Sequence, residues 1–260
     1  MIRATTLTIA LVLVANPAAA KLKQVTVKTR SGSIQVTASP NVTQVTGTGT
    51  IKIDGDQVEV SARSDDVAVT VPTGVALETR TRSGSVTVAG LRGLLRHHSV
   101  SGDLDATNCL GGIEVRSVSG KVRGRGLSGK VRIKTVSGDI DLAGRLGDTS
   151  VTTISGDISL SRLSGSCAVK TTSGTVSLQG RLDRGHRLQL HAHSGDVETR
   201  LQVPAGARYS LRSFSGTIAL TAGGKKARRI EGSARGAVGK GGASVDLSTF
   251  SGDITLQLRE

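Results

Sequence analysis

Aspartate follows a Ser-Gly pair at Asp103, Asp139, Asp157, Asp196 and Asp253. A carboxylate recurring on the same turn could build a ladder of calcium ligands, because equivalent side chains in hydrogen-bonded strands stand about 5 Å apart. Lys121, Thr175 and Thr217 interrupt the column, and the glycine-aspartate nonapeptides of calcium-binding rolls are missing. The plainer expectation is that each aspartate hydrogen-bonds the backbone of its own turn. His191 and His193 share one face of a strand with His186 nearby, but a His-x-His pair lacks the third ligand that zinc needs. His193, directly before Ser194, is expected to face inward, and His97 and His98 divide between core and surface. No Ser, His and Asp set stands out from a background in which Ser and Asp recur at every turn. Neither metal nor cofactor is expected. Cys109 and Cys167 sit in different repeats at different phases, at least about 14 Å apart and beyond the roughly 7 Å Cα limit of a disulfide. Two separate buried thiols are expected.

The cations carry more. Arg96 and His98, Glu114 and Arg116, Arg132 and Lys134, Ser150 and Thr152, and Ala168 and Lys170 recur at the same alternating positions of successive repeats. Arg96, Arg116, Arg132, Lys134 and Lys170 thus face one acid, Glu114, and a polyanion could lie along them through charge-assisted contacts. The alternative use of such a face is solubility and protection against edge pairing. A second cluster, Lys225, Lys226, Arg228, Arg229, Arg235 and Lys240 with Glu231, falls in residues 221–244. That stretch reads as a degenerate repeat or a glycine-rich excursion.

What positions these residues is a period. Ser-Gly recurs at Ser83, Ser101, Ser119, Ser137, Ser155 and Ser173 in steps of 18, then at Ser194 and Ser215 in steps of 21, and at Ser251 after 36. Gly93, Gly111, Gly129, Gly147 and Gly165 repeat the step of 18 half a period later. Between these turns apolar residues alternate, which is the strand period. Val86, Leu104, Val122, Ile140, Ile158 and Val176 form one column, with Leu142, Leu160 and Leu178 two residues on. Ile113 and Val115, Val131 and Ile133, Val151 and Val169 form the second half, and Val100, Val118, Val136 and Ile154 precede the next Ser-Gly. All are assigned to inward columns. Phe214 and Phe250 occupy the last of these and are expected to fill a wider C-terminal end. The pattern predicts an all-β, single-stranded β-solenoid of about 18 residues per coil over residues 65–260, with strands stacked at about 4.8 Å.

Residues 21–64 fit the period poorly and read as an N-terminal β cap, including a hairpin over Ile51–Val60 with Asp54-Gly55 at its turn. The final strand, Ile254–Glu260, has no visible cap and is expected to present an edge for a protein partner or self-association. Residues 1–20 combine Arg3, an apolar run from Leu7 to Val14 and Ala18-Ala19-Ala20, the pattern of a secretory signal peptide. No other run is long enough for a transmembrane span. The expected address is across the inner membrane, in the periplasm or at the cell surface. The chain contains 34 Gly, three aromatics and a formal net charge of +14, so its core must be aliphatic and its partners anionic.

The repeated Ser-Gly-Asp units, the lead-in Val67-Ala68-Val69-Thr70-Val71-Pro72-Thr73-Gly74 and the ending Thr249-Phe250-Ser251-Gly252-Asp253-Ile254 resemble the DUF4097 family of bacterial adhesin-like proteins, from about Val67 onward. The resemblance implies an extracytoplasmic β-helix, right-handed by analogy, without established enzymatic activity. This sequence departs from the family in its basic charge. The expected function is a non-catalytic structural or adhesin-like scaffold, with acidic polysaccharide or lipopolysaccharide as its partner. The alternative is a β-helical polysaccharide lyase or hydrolase. That reading needs loop walls and aromatic platforms, for which 18-residue coils with almost no insertions leave no room. Nucleic acid is disfavoured as a partner, because stacking residues are missing.

Overall fold

The computed structural model describes residues 22–223 and 228–260, and every regular element among them is a strand. The leader expected over residues 1–20 lies outside the described residues. The first strands are β1 (Gln24–Ser31), β2 (Ile34–Ser39), β3 (Thr46–Gly47), β4 (Thr50–Asp54), β5 (Gln57–Ala62), β6 (Val67–Pro72) and β7 (Ala76–Ser83). Next come β8 (Val86–Ala89), β9 (Leu95–Ser101), β10 (Leu104–Thr107), β11 (Ile113–Ser119), β12 (Val122–Lys134), β13 (Ile140–Thr152), β14 (Ile158–Leu163) and β15 (Cys167–Ser173). The last are β16 (Val176–Arg181), β17 (Arg187–Ser194), β18 (Val197–Gln202), β19 (Ala207–Ala222), β20 (Arg228–Val238), β21 (Ala243–Ser251) and β22 (Ile254–Arg259).

Two parallel ladders result. One runs β6-β2-β8-β10-β12-β13-β14-β16-β18-β22-β19. The other runs β5-β1-β7-β9-β11-β12-β13-β15-β17-β21-β19. β12, β13 and β19 pass through a corner and serve both. Through the middle the register pairs residues 18 apart, as Leu104 with Val122 and Ile113 with Val131. Every rung therefore sets like residues on like, the solenoid-like arrangement that the period requires. In the inward columns Val122, Ile140, Leu142, Leu160, Val131 and Ile133 are buried to 2% exposure or less. Each side chain so buried stabilises the fold by roughly 1.5–3 kcal/mol.

At the Ser-Gly corner each residue of the triplet has a separate contact. The serine hydroxyl reaches back to the preceding rung, as Ser119 Oγ donates to the Val100 carbonyl at 3.3 Å. Gly120 sits at φ +121°, and a Cβ there would collide with the Gly102 carbonyl. The aspartate accepts from the following rung: Asp103 Oδ1 from the Lys121 N–H at 2.8 Å, Asp157 from Thr175 at 2.8 Å, Asp253 from Thr217 at 2.7 Å. The aspartates thus tie successive rungs together rather than closing their own turns. One residue before the triplet, the inward assignment fails. Strand parity counted from Ile113 and Val115 sends Ser117 in and Val118 out. The inward column at the corner is therefore Ser117, Thr135, Thr153 and Thr171, whose hydroxyls donate to the carbonyls of Ser119, Ser137, Ser155 and Ser173 at 2.8–3.0 Å. Val100, Val118, Val136 and Ile154 stand 44–52% exposed. His193, Phe250 and Phe214 continue that outer column as a stack, with ring centroids 5.2 and 4.7 Å apart. At 50% and 78% exposure, the phenylalanines fill no C-terminal core.

Both ends are closed out of sequence order. At one end β5 and β6 lie outside β1 and β2, and the antiparallel strands β4 and β3 cover them. Within residues 21–64, then, β1 and β2 are an interior rung and only the later strands form a cap. The predicted hairpin is present as β4 and β5, with Gly55 at φ +57°. At the other end β21 and β22 insert between β17/β18 and β19, and β20 folds back antiparallel on β19. The last strand is consequently no free edge, since Ile254 pairs with Val197 on one side and Ile218 on the other. Backbone pairing is blind to chain order, so a later strand can occupy an inner place. Within residues 221–244 the described part is the end of β19, the antiparallel arm β20 and the turn into β21, an excursion from the coil rather than a degenerate repeat.

Candidate functional site

The outward positions of β9, β11, β12, β13 and β15 hold the basic residues singled out from the sequence, and the register splits them into two columns. In the first, Glu114 lies between Arg96 and Arg132, its carboxylate 3.3 Å from Arg96 Nε and 3.5 Å from Arg132 Nη1. Those two cations are largely occupied by that one acid. The second column, two residues later in each strand, holds His98, Arg116, Lys134, Thr152 and Lys170. Among the described residues no acid lies within 4.0 Å of Arg116, Lys134 or Lys170, whereas other surface cations such as Lys121 and Arg125 are paired. Arg116, Lys134 and Arg132 line a hollow of about 340 Å³ together with Glu114 and Ser150. Partial burial lowers the pKa of His98, with Glu78 opposing and the cations around it reinforcing. Arg228 and Arg229 are exposed on β20 opposite Leu220 and Ala219 and do not join this column. Lys225 and Lys226 lie outside the described residues.

The remaining candidates are structural. Among the described residues no three His, Cys, Asp or Glu side chains gather as metal ligands. His191 Nδ1 is 2.6 Å from Ser248 Oγ, and His193 stacks on Phe250 instead of facing the same partner. His97 is 1% exposed, hydrogen-bonded through Nδ1 to Thr79 Oγ1 at 2.9 Å, and burial lowers its pKa to about 4, the neighbouring His98 adding a little. Cys109 and Cys167 are free and buried, and burial pushes the Cys167 thiol up to about 12. No described helix is long and apolar enough to cross a membrane.

A family model described as Toastrack DUF4097 matches residues 11–146 and again residues 110–257. The chain belongs to the DUF4097 family. The two matches overlap over residues 110–146, as repeated units permit. A crystal structure of a putative cell adhesion protein from Clostridium sporogenes is similar at 11% identity, covering 97% of this chain and 100% of that one, with a TM-score of 0.27. No curated protein matches the chain.

On this DUF4097 chain the larger basic feature is one that the period conceals. The corner opposite the Ser-Gly triplets slips register in three successive rungs, between Arg125 and Leu127, Ala143 and Leu146, and Leu160 and Leu163. Arg162 is forced to φ +61° there, a backbone region that costs a side-chain-bearing residue about 1–2 kcal/mol. The slips open a trough of about 880 Å³ walled by Arg145, Arg162, Arg181, Arg200 and Arg259, with serine and glutamine side chains between them. Asp183 takes Arg181 at 2.9 Å and Glu198 takes Arg200 at 3.7 Å. Arg145, Arg162 and Arg259 have no acid within 4.0 Å among the described residues. A signal existed in the near-periodic spacing of Arg145, Arg162, Arg181 and Arg200, in steps of 17, 19 and 19. Arg259 could not be found that way, because it joins through the out-of-order pairing of Gln202 with Arg259.

Proposed function

We propose that the protein is a non-catalytic extracytoplasmic scaffold of the adhesin-like kind, secreted across the inner membrane to the periplasm or cell surface, whose trough binds an acidic envelope polymer. Acidic polysaccharide and the anionic part of lipopolysaccharide share the required chemistry, namely carboxylate or phosphate groups spaced along a hydroxylated chain. The observation that carries the reading is the trough itself, with five guanidinium groups beside Ser161, Gln179 and Gln257. Guanidinium forks pair with carboxylate and phosphate in two-point contacts, and serine and glutamine satisfy hydroxyls. The two opposed carboxyl groups of a glycosidase need a second free acid, and the one carboxylate lining the trough, Asp183, is held by Arg181. The family resemblance supports a right-handed coil, and the Ser-Gly period supports about 18 residues per turn.

The test is binding to immobilised polygalacturonate and to neutral dextran over a salt series. Salt-sensitive binding to the acidic polymer, weakened at least tenfold by the triple change Arg145→Glu, Arg162→Glu and Arg259→Glu, is expected. Equal binding to dextran, or an affinity that the triple change leaves intact, rejects the trough. Loss only in Arg116→Glu, Arg132→Glu, Lys134→Glu moves the polymer to the other face.

A further inference from the structure

Eight large apolar side chains are exposed among the described residues, and six of them, Val100, Val118, Val136, Ile154, Phe250 and Phe214, stand in the single column before the Ser-Gly corner. Scattered exposed apolar residues need no explanation, but an aligned row marks a contact surface. Two residues earlier on the same strands runs the open cation column of Arg116, Lys134 and Lys170, which the register extends to Arg212 through His191 and Ser248. Thr172 and His193 occupy the two rungs between Ile154 and the phenylalanines, and Arg82 and Arg30 continue the line at the β1 end. Neither column contains a carboxylate at any rung from β1 to β19. The acids nearest the row, the corner aspartates, are turned onto backbone N–H groups of neighbouring rungs.

A straight apolar row beside a straight cationic row matches an amphiphile whose anionic group adjoins its hydrocarbon. We propose that this face docks on an anionic lipid surface, the row of Val100 to Ile154 and the Phe250–Phe214 stack entering the boundary between headgroups and acyl chains while Arg116, Lys134, Lys170 and Arg212 meet lipid phosphates. A soluble polyanion has no use for the valines. A second copy of the chain meeting through the row would bring two uncompensated cation columns together, which like-charge repulsion disfavours. The side chains are too short to reach deep into the layer, so the rod lies on the membrane and does not enter it. Each cation near such a surface strengthens binding about fivefold, and the gain fades with salt.

The inference goes beyond the polymer-binding trough and is tested separately from it. Sedimentation of the protein with vesicles of phosphatidylglycerol and phosphatidylcholine is expected to show binding at least tenfold tighter than to phosphatidylcholine alone. Val118→Ser, Val136→Ser and Ile154→Ser together should weaken vesicle binding at least tenfold while leaving polygalacturonate binding and the melting temperature unchanged. Arg116→Ser, Lys134→Ser and Lys170→Ser should abolish the preference for anionic vesicles. Vesicle binding that survives the Val/Ile→Ser change overturns the proposal, because the face then reads charge alone. So does a concentration-dependent dimer that disappears with the same change. Failure of the trough variants to lose polymer binding leaves this result standing.

Discussion

The two corners of the coil are built from the same small residues and behave differently. At the Ser-Gly corner glycine stacks on glycine, each inward hydroxyl satisfies a serine carbonyl of its own rung, and where the triplet ends in aspartate its carboxylate holds the next rung. At the opposite corner the register slips, insertions lengthen the later repeats, and Arg162 takes a strained backbone. A stack that is locked along one edge can be loose along the other. The loose edge is where a trough forms and where arginines collect.

The largest effect should come from breaking the locked edge. Gly120→Val places a branched side chain at φ +121° against the Gly102 carbonyl and should cost more than about 4 kcal/mol or prevent folding. Gly185→Ala, in the loose corner at φ +84° with no atom within 4 Å of the added carbon, should cost only about 1 kcal/mol. Denaturant melts of both variants compare the edges directly, and equal losses would erase the distinction.

Acid should act on the strands that join the corners. His97 has a folded pKa of about 4 against an ordinary value of 6.5, so the unfolded chain binds the proton first as pH falls. Its contribution is present above pH 6.5 and is lost between about 6.5 and 4, an effect on the order of 3 kcal/mol. The unfolding free energy measured across that window should fall, and His97→Gln should flatten the slope. A slope that persists in the variant assigns it elsewhere.

The smallest contrast concerns two buried threonines. Thr153 Oγ1 donates to the Ser155 carbonyl at 3.0 Å in the locked corner, and Thr153→Val should cost about 1 kcal/mol. Thr199 Oγ1, in a strand beside the trough, is buried without a partner, so Thr199→Val should be neutral or stabilising by up to about 1 kcal/mol. Melting temperatures moving in the opposite order would contradict the account of the corners.

Much of this was legible in the residues. The Ser-Gly period, the columns through Val122 and Ile140, and the Asp54-Gly55 hairpin follow from local chemistry and strand alternation, and the fold has them. Hydrophobicity alone places Val118 and Phe250 inside, whereas the alternation from Ile113 already sends position 118 outward, where the fold has it. The hydroxyl column of Thr135 and Thr153 did not look like core, yet each hydroxyl is satisfied within two residues. The place of β22 between β18 and β19 left no trace in the spacing, because parallel pairing needs only an open neighbour. The trough depends on register slips, which come from packing several rungs at once. In the basic column the step of 18 already sets Glu114 between Arg96 and Arg132, and what the structure adds is that its carboxylate reaches both.

Closure of each end by a returning hairpin has a bearing on how such a molecule can change length. Interior rungs contact only their neighbours, so excising Ser119–Val136 would bring Val118 to Ser137 and shorten the rod by one turn with both closures intact. Truncation is a different matter. Removing the chain from Ala243 onward would take away a rung from inside the stack, leaving β17 and β18 facing β19 across an empty layer. Whole repeats can thus be gained or lost from the interior, whereas β21 and β22 fill an inner layer that the stack needs.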